Sequence, residues 1–359
     1  MKHVHYFLLA MVMLAGCSDE SPQAMFEDYL YRLGNVTGVE PQNGVEALPL
    51  VPYPGARNLV LETEDLRIGF ADYFNIAECD LMQAVSERNS SLGLFQRPSG
   101  RLLYEIDFYH RISHCDDTLG PVAQGGDEDR AAFRALVSRI RESKSVALPV
   151  AFWNATFASP EMRILLSTGA KPFDKSEPID STAAEAALSY LAWLGKHLYE
   201  GRPRITTTEF ERHYFNLQAH KTVGRLIRNL RISHLNLVIA TDILERAGRA
   251  NKICPMGKKT RQGGFLHNVF IKYYAGEIQP YLSRVHRPSG QLLGVLGRLF
   301  DAQSTAVPEP FLHYFQAMLN KNSPNGLWRK FNDQLKEHTL AWQTVLKQCA
   351  LMPEGPVGR

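Results

Sequence analysis

The sequence has few cysteines and lacks the common signatures of metal and enzyme sites. Its five cysteines form no C-x-x-C pair and no Cys/His ladder, which argues against a zinc site or a thioredoxin-like redox motif. H-E-x-x-H and G-x-S-x-G, the signatures of zinc peptidases and α/β-hydrolases, are also absent. The M-G-K-K-T run at 256–260 has Lys252 where a phosphate-binding loop needs glycine. We therefore expect no cofactor and a non-enzymatic role.

Long apolar runs are missing as well. The strongest run, Tyr6–Leu14, has about nine residues, whereas a membrane-spanning helix needs about 20. Lys2 precedes this run and small residues follow it, as in a secretory signal. The sequence thus predicts a signal peptide at residues 1–16 and a body that does not cross the membrane.

The end of this signal is a specific motif. Leu14-Ala15-Gly16-Cys17 resembles the bacterial lipobox at all four positions, and a plain cleaved signal is the alternative. The resemblance implies a diacylglycerated Cys17 with an acylated amino terminus, and two or more chains give stable attachment. Ser18 replaces the aspartate associated with inner-membrane retention. We expect an outer-membrane anchor facing the periplasm, followed by a tether and first helix at 17–34.

The chain as a whole is of ordinary globular composition, with 45% hydrophobic and 21% charged residues. Residues 35–68 are rich in Pro, Gly and short β-branched runs, which predict an irregular segment with room for one short strand pair. Residues 69–359 predict a helical body that could consist of two packed halves, with a boundary near 170–205. The expected fold class is therefore all-α, a multi-helix globular bundle with an irregular early segment.

Apolar residues recur at helical spacing along this body. Two such stripes consist of Phe133, Leu136, Val137 and Ile140, and of Ala184, Leu188, Leu191 and Leu198. Residues 209–249 predict either one long helix or two helices that meet near Arg231. Both stripes indicate amphipathic helices that pack on a core.

Cysteine spacing predicts one disulfide. Cys79 and Cys115 each lie 18 residues from Arg97. If residues 69–93 and 98–115 are antiparallel helices, arms of equal length bring the two cysteines together at the open end. Metal binding or a reactive thiol is the competing use of cysteines, and it lacks a matching motif.

The remaining pair is Cys254 with Cys349. The latter continues an apolar helical stripe formed by Phe331, Leu335, Trp342 and Val345. We therefore expect this bridge to tie the last helix to the loop that holds Cys254. Each bridge contributes about 2–4 kcal/mol if unstrained.

Charge is unevenly distributed. Residues 18–130 carry 20 acidic and 8 basic side chains, while residues 221–261 carry ten basic side chains against Asp242 and Glu245. The basic stretch could contact phospholipid, lipopolysaccharide phosphate or an acidic partner. The favoured alternative is solvation of one face and pairing with the acidic half. Nucleic acid is not an expected partner. Candidate anion-binding residues are Arg97, Arg287, Lys258, Lys259 and Arg261.

Two histidines have the spacing of a metal-binding pair. His110 and His114 are four residues apart on a predicted helix, so they share one face. Exposed or capping histidines are the favoured alternative, because no established motif surrounds them. Neighbouring carboxylates in the hairpin belong to Glu78, Asp80, Asp116 and Asp117.

The tetrapeptide Arg-Pro-Ser-Gly occurs twice, at 97–100 and 287–290. Proline suits the first turn of a helix because its missing N–H would have no partner there. We therefore predict that each copy begins a helix. An arginine beside a helix amino terminus could also hold a phosphate or carboxylate.

The lipobox, Cys-Asp-Leu at 79–81, E-R-N-S-S-L-G at 87–93, R-P-S-G-R-L-L-Y-E at 97–105 and Cys115 together resemble an uncharacterised family of gammaproteobacterial lipoproteins. The likeness is clearest over residues 69–115. It implies an envelope location and a helical fold, and it implies no activity.

Three functions are therefore compared. The leading hypothesis is a non-enzymatic envelope lipoprotein that contacts an envelope protein or an anionic envelope component. The second is a binder or carrier of a lipid or small hydrophobic ligand, which the aromatic residues of one predicted helix permit. These are Phe265, Phe270, Tyr273, Tyr274 and Tyr281. The third is an envelope hydrolase that uses Glu105, His110 and His114.

Overall fold

The computed structural model describes residues 20–63, 76–119, 128–200 and 205–352, except positions 43, 91, 92, 94 and 220. These residues form helices and connecting segments without a strand, which confirms the predicted all-α class. The predicted signal peptide and Cys17 lie outside the described residues. The boundary proposed near 170–205 stays a prediction.

The α-helices are α1 (Pro22–Thr37), α2 (Met82–Asn89), α3 (Pro98–Leu119), α4 (Glu128–Ala155), α5 (Pro160–Leu165), α6 (Thr182–Lys196), α7 (Thr207–Ala219), α8 (Thr222–Ala250), α9 (Arg261–Val269), α10 (Gln279–Asp301), α11 (Glu309–Tyr314) and α12 (Leu327–Gln348). Short 3-10 helices are Ala56–Asn58, Ile76–Cys79 and Pro255–Gly257. Phe270–Ile278 and Phe315–Leu319 are π-helical. Within the described ranges, no helix combines the length and apolar character needed to cross a membrane.

Two helices, α1 and α5, begin after a serine whose side chain caps their first turn. Ser21 Oγ accepts a hydrogen bond from the Ala24 N–H at 3.2 Å, and Pro22 opens α1. Ser159 does the same for α5, whose first residue is Pro160. These Ser-Pro pairs satisfy free N–H groups and supply the backbone angle of a first helical turn.

Most large side chains converge in one core to which the α-helices named above other than α2 contribute. The α3–α4 hairpin joins this core at one end and encloses a smaller cluster around Ile112 and Val137 at the other. Both predicted stripes face these clusters, with Phe133 at the edge of the smaller one. Their fully packed members are Leu136, Val137, Ile140, Ala184, Leu188, Leu191 and Leu198.

The irregular early segment is held by side chains. In its described part, residues 35–63, no strand forms, and the expected strand pair is not observed there. Instead, the Asn154 side chain accepts from the Leu61 N–H at 2.9 Å and donates to the Leu61 carbonyl at 2.8 Å. Trp153 donates to the Leu59 carbonyl at 2.6 Å. A side-chain amide thus takes the place of a neighbouring strand.

Three sequence expectations need correction. The arm predicted as one helix over 69–93 is a 3-10 turn at Ile76–Cys79 followed by α2, and residues 69–75 lie outside the described ranges. The two helices of 209–249 meet beside Lys221 and not near Arg231. The second Arg-Pro-Ser-Gly does not begin a helix, because Pro288 lies inside α10.

Contacts within α10 and from other segments explain how this helix continues through Pro288. Ser289 Oγ donates to the Val285 carbonyl at 2.7 Å, and Lys321 Nζ donates to the Gly290 carbonyl at 3.1 Å. Trp328 packs directly on Gly290. Tertiary contacts therefore hold the helix across a residue that breaks isolated helices. The first copy behaves as predicted, since α3 begins at Pro98.

Helix α8 approaches the preceding chain most closely at Gly224. A Cβ there would lie 2.0 Å from the Ser167 carbonyl oxygen, whereas one at Gly297 in α10 meets nothing within 4 Å. We predict that Gly224→Ala lowers the free energy of unfolding by about 3 kcal/mol or more through overpacking. Gly297→Ala should raise it by about 0.5–1 kcal/mol. Urea denaturation of both variants checks this, and equal effects would contradict the close approach.

Candidate functional site

The predicted disulfide pairings are supported. Cys79 pairs with Cys115 and Cys254 with Cys349, with Cα–Cα distances of 5.3 and 5.1 Å. The first bridge joins a 3-10 turn to α3, and the second joins the end of α12 to the loop before α9. A Cβ at Gly263 would lie 2.7 Å from the Cys254 Sγ, so α9 packs tightly on this second bridge.

A cleft of about 500 Å³ lies beside the first bridge. His110 and His114 both line it, one buried and the other exposed. Across the described part of the chain, no three His, Cys, Asp or Glu side chains come together in a group that could hold a metal ion. The cleft therefore brings the two predicted histidines to one wall without a third ligand.

The charged residues of this cleft pair with one another. Arg141 contacts Asp116 at 2.9 Å and Asp117 at 3.2 Å, while Arg111 contacts Asp107 at 2.6 Å and also Asp80. Burial alone would raise the pKa of Asp116, but hydrogen bonds from Arg141 and Ser138 lower it. Asp116 is thus an ionised anchor for α4, unsuited to donate a proton at neutral pH.

Glu105, the carboxylate proposed for hydrolysis, lies in a buried ion cluster between α3 and α4. Its side chain is 1% exposed and contacts Arg101 at 2.5 Å and Lys144 at 2.9 Å. The Lys144 ammonium also lies over the rings of Phe108 and Tyr104, at 4.7 and 5.3 Å from their centroids. One carboxylate oxygen thus fastens α3 to α4 through Lys144, while the other pairs with Arg101 within α3.

A second buried polar group surrounds His338, which is fully buried. Thr241 donates its only hydroxyl proton to the Leu237 carbonyl at 2.6 Å and accepts from Gln334 at 3.0 Å. The His338 Nδ1, 3.1 Å from the Thr241 hydroxyl, must therefore be a donor. This assigns the proton of the neutral imidazole to Nδ1.

The other imidazole nitrogen faces α1. His338 Nε2 accepts from the Tyr29 hydroxyl at 2.9 Å, and that oxygen accepts from Trp342 Nε1 at 2.8 Å. Burial lowers the pKa of His338 to about 3. The chain of bonds from Trp342 to Thr241 is directional and has no place for a second imidazole proton.

The arginines of the basic stretch mostly bond to backbone carbonyls of other segments. Arg231 contacts the Leu48 carbonyl at 2.5 Å and Arg246 the Glu40 carbonyl at 2.6 Å. Arg228 contacts the Thr168 carbonyl at 3.0 Å. These arginines therefore fasten the irregular segment and the loop after α5 to α8.

The candidate anion-binding residues are exposed but dispersed. Lys258, Lys259 and Arg261 lie around the start of α9, with the Arg261 guanidinium 5.5 Å from the Phe265 ring centroid. Arg97 precedes α3, whereas Arg287 lies within α10, several residues after its first turn. The helix start predicted beside Arg287 is therefore wrong, and anion binding by Arg287 stays a prediction.

Sequence reasoning missed the two buried polar clusters. His338 is four residues before Trp342 on a stripe that was correctly predicted to face the core, so the pattern could have predicted its burial. Its partners Tyr29 and Thr241 are 309 and 97 residues away. The aromatic residues of the predicted helix do not share one environment, since Tyr274 and Tyr281 are buried and Phe265 is 48% exposed.

We predict that removal of the Tyr29 hydroxyl is costly. Tyr29→Phe leaves His338 Nε2 and Trp342 Nε1 without partners, at about 1–3 kcal/mol for each group. Tyr31→Phe on the same helix is the matched control, because Tyr31 is 63% exposed and exposed substitutions stay within about 0.5 kcal/mol. Chemical denaturation measures both, and similar losses would contradict the network.

His338 should make stability depend on pH. Its pKa is about 3 in the folded protein against 6.5 for an ordinary histidine, so between these values only the unfolded chain gains the proton. Stability should fall as the pH decreases through this window, with a slope of at most about 1.4 kcal/mol per pH unit. His338→Gln should lose this contribution and His114→Gln should retain it. Denaturant midpoints at pH 4–7 test the difference.

The buried ion cluster should respond asymmetrically to substitution. Glu105→Gln leaves Lys144 as a buried uncompensated charge, at about 3–5 kcal/mol, whereas Glu105→Leu with Lys144→Met should recover most of the loss. Asp333→Asn is the control, since its pair with Arg329 is exposed and such pairs contribute about 0–1 kcal/mol. Thermal unfolding of the set measures these effects. A double variant as unstable as Glu105→Gln would refute the argument.

The family profile described as "Protein of unknown function (DUF3080)" matches residues 26–353. The chain therefore belongs to this family, which confirms the resemblance to a family of unknown function. No curated protein and no solved structure matches it.

Proposed function

We propose that this member of an uncharacterised family is a lipoprotein of the outer membrane that faces the periplasm, like the gammaproteobacterial lipoproteins it resembles. In this proposal, acyl chains on Cys17 anchor the protein. Its helical body is a non-enzymatic structural or interaction component of the envelope. The lipobox at residues 14–17 and the preceding apolar run support this function.

The observation that carries the proposal is the position of Cys17 relative to the folded body. Glu20, the third residue after it, already bonds to Lys175 and Ser176, and α1 begins at Pro22. In this proposal, an export signal that ends at Gly16 would adjoin the folded domain almost directly. This is the arrangement expected of a lipidated mature amino terminus.

Two side chains with the chemistry for catalysis are instead bonded inside the fold, which supports an interaction role. Glu105 is bonded within an ion cluster and His338 within the core network. The exposed cations Lys258, Lys259 and Arg261 lie beside exposed Phe265. We assign this basic and aromatic surface to contact with an envelope protein or an anionic envelope component.

A hydrophobic ligand is the second candidate. A groove of about 370 Å³ between α8 and α12 is lined by Leu244, Ala341 and Val345, with Leu340 60% exposed at its rim. Native mass spectrometry of the protein purified from membranes tests it. A reproducible lipid or hydrophobic adduct that Leu340→Glu abolishes would favour a carrier, and its absence would leave the interaction role.

Lipidation is tested directly at Cys17. Cys17→Ala should release the protein from membranes and remove a diacylglycerol mass from its amino-terminal peptide. Ser18→Ala, the matched control, should leave both unchanged. Fractionation and mass spectrometry measure the two properties, and an unmodified Cys17 in the wild-type protein would refute the anchor.

The interaction role needs its own experiment. Cross-linking in intact cells should recover a reproducible envelope component, and charge reversal at Lys258, Lys259 and Arg261 should reduce its yield. Reversal of Arg329 and Lys330, exposed on α12, is the control. A wild-type protein that yields no reproducible partner would refute the interaction role.

A further inference from the structure

The first described residue is fixed to the body of the protein. The Lys175 N–H donates to the Glu20 carbonyl at 2.8 Å, and the Ser176 hydroxyl donates to the Glu20 carboxylate at 2.9 Å. The Lys175 ammonium lies 3.6 Å from the same carboxylate. Ser21 then caps α1. The chain is thus bonded to the folded domain from Glu20 onward.

The segment that holds Glu20 is itself held on α8. Asn229 accepts from the Phe173 N–H at 2.9 Å and donates to the Phe173 carbonyl at 2.8 Å. Arg225 lies 3.7 Å from the Phe173 ring centroid, bonds the Lys171 carbonyl at 2.9 Å and pairs with Glu177 at 2.6 Å. Residues 171–177 therefore form a braced support for Glu20.

Covalent geometry limits how far this support can lie from an anchor on Cys17. Glu20 is the third residue after Cys17, and three residue steps extend at most about 11 Å. The polar layer of each bilayer leaflet is itself about 5–8 Å thick. An acylated Cys17 would thus hold Glu20 and the 171–177 support at or beside the headgroups.

Three exposed cations lie near this support, as does the exposed carboxylate of Asp180. Lys171 belongs to it, and Lys221 precedes the first turn of α8 beside it in one surface cleft. Arg284 lies one turn beyond Tyr281, whose hydroxyl accepts from Asn229 at 2.7 Å. All three side chains are exposed. Near a membrane surface, each cation gains about 1 kcal/mol from anionic headgroups.

We propose that Glu20, Lys171, Lys175, Lys221 and Arg284 form a tether face, the surface that lies on the phospholipid headgroups of the anchoring membrane. This inference rests on the proposed lipidation of Cys17 and adds an orientation to it. Because Glu20 is bonded to the braced support, the body has little freedom to swing about its anchor. One defined side of the molecule therefore meets the lipid.

The orientation also places the other end of the molecule. Helix α1 has 16 residues and so extends about 24 Å from the tether face. Gln262 Nε2 donates to the Val36 carbonyl at 2.8 Å, which puts the start of α9 near the far end of α1. Lys258, Lys259 and Arg261 adjoin this point. The surface assigned to partner contact therefore lies about the length of α1 away from Glu20.

The test uses the full-length protein in its native membrane. A photoreactive benzophenone amino acid replaces Lys171, Lys221 or Arg284 on the tether face, and Arg249 or Lys347, exposed in the last turns of α8 and α12, as controls. After irradiation, mass spectrometry quantifies phospholipid adducts at each position. We expect several-fold more adduct at the three tether-face positions than at the controls. Equal or greater adduct at the controls would overturn the orientation.

A second variant separates orientation from anchoring. Insertion of a long Gly-Ser linker between Ser18 and Asp19 should keep Cys17 acylated and abolish the bias toward the tether face. The mass of the amino-terminal peptide is measured in every sample. An unmodified Cys17 would refute the proposed lipidation itself, whereas an acylated Cys17 with a bias that survives the linker would overturn the short-tether argument alone.

Discussion

The neutral imidazole of His338 is the point at which three distant parts of the chain are joined. It accepts from Tyr29 on α1 and donates to Thr241 on α8, while its own helix α12 supplies Trp342 as a further donor. Each hydrogen bond in this chain has one defined donor and one defined acceptor. Removal of any member leaves a buried polar atom without a partner, which costs more than the bond itself contributes.

Helix α8 extends this joining role to the segments that lack regular structure. Its arginines reach the carbonyls of Leu48, Glu40 and Thr168, and Asn229 bonds both backbone groups of Phe173. A loop without a neighbouring strand or helix still needs partners for its backbone. Side chains of α8 and of Asn154 supply them, so the basic charge of α8 has a structural use.

The sequence predicted the features that depend on local pattern. Apolar stripes at helical spacing predicted the helices around Leu136, Leu188 and Trp342. Spacing about Arg97 predicted the pair of Cys79 with Cys115, although the arm before Arg97 is not the continuous helix that the argument assumed. Features set by distant contacts were not predictable. Pro288 lies inside α10 because Trp328 and Lys321 pack there, whereas an identical tetrapeptide at 97–100 begins α3.

The same distinction applies to the candidate sites. His110 and His114 do share one cleft wall, as their spacing predicted, yet their surroundings depend on Arg111, Arg141 and Tyr199 from three different helices or connections. Glu105 looked available for chemistry in the sequence, and its burial with Lys144 follows only from the packing of α3 on α4. A single sequence does not encode such pairs in any local motif.

The two disulfides have a consequence for when the chain can fold. They close loops with sequence separations of 36 and 95 residues, and cross-links over such loops remove entropy from the unfolded chain worth about 4 and 5 kcal/mol. In a reducing compartment the chain lacks both contributions, and these are comparable with the whole stability of many domains. The reduced chain is therefore much less stable than the oxidised one, so the finished shape depends on a compartment in which both bridges can form.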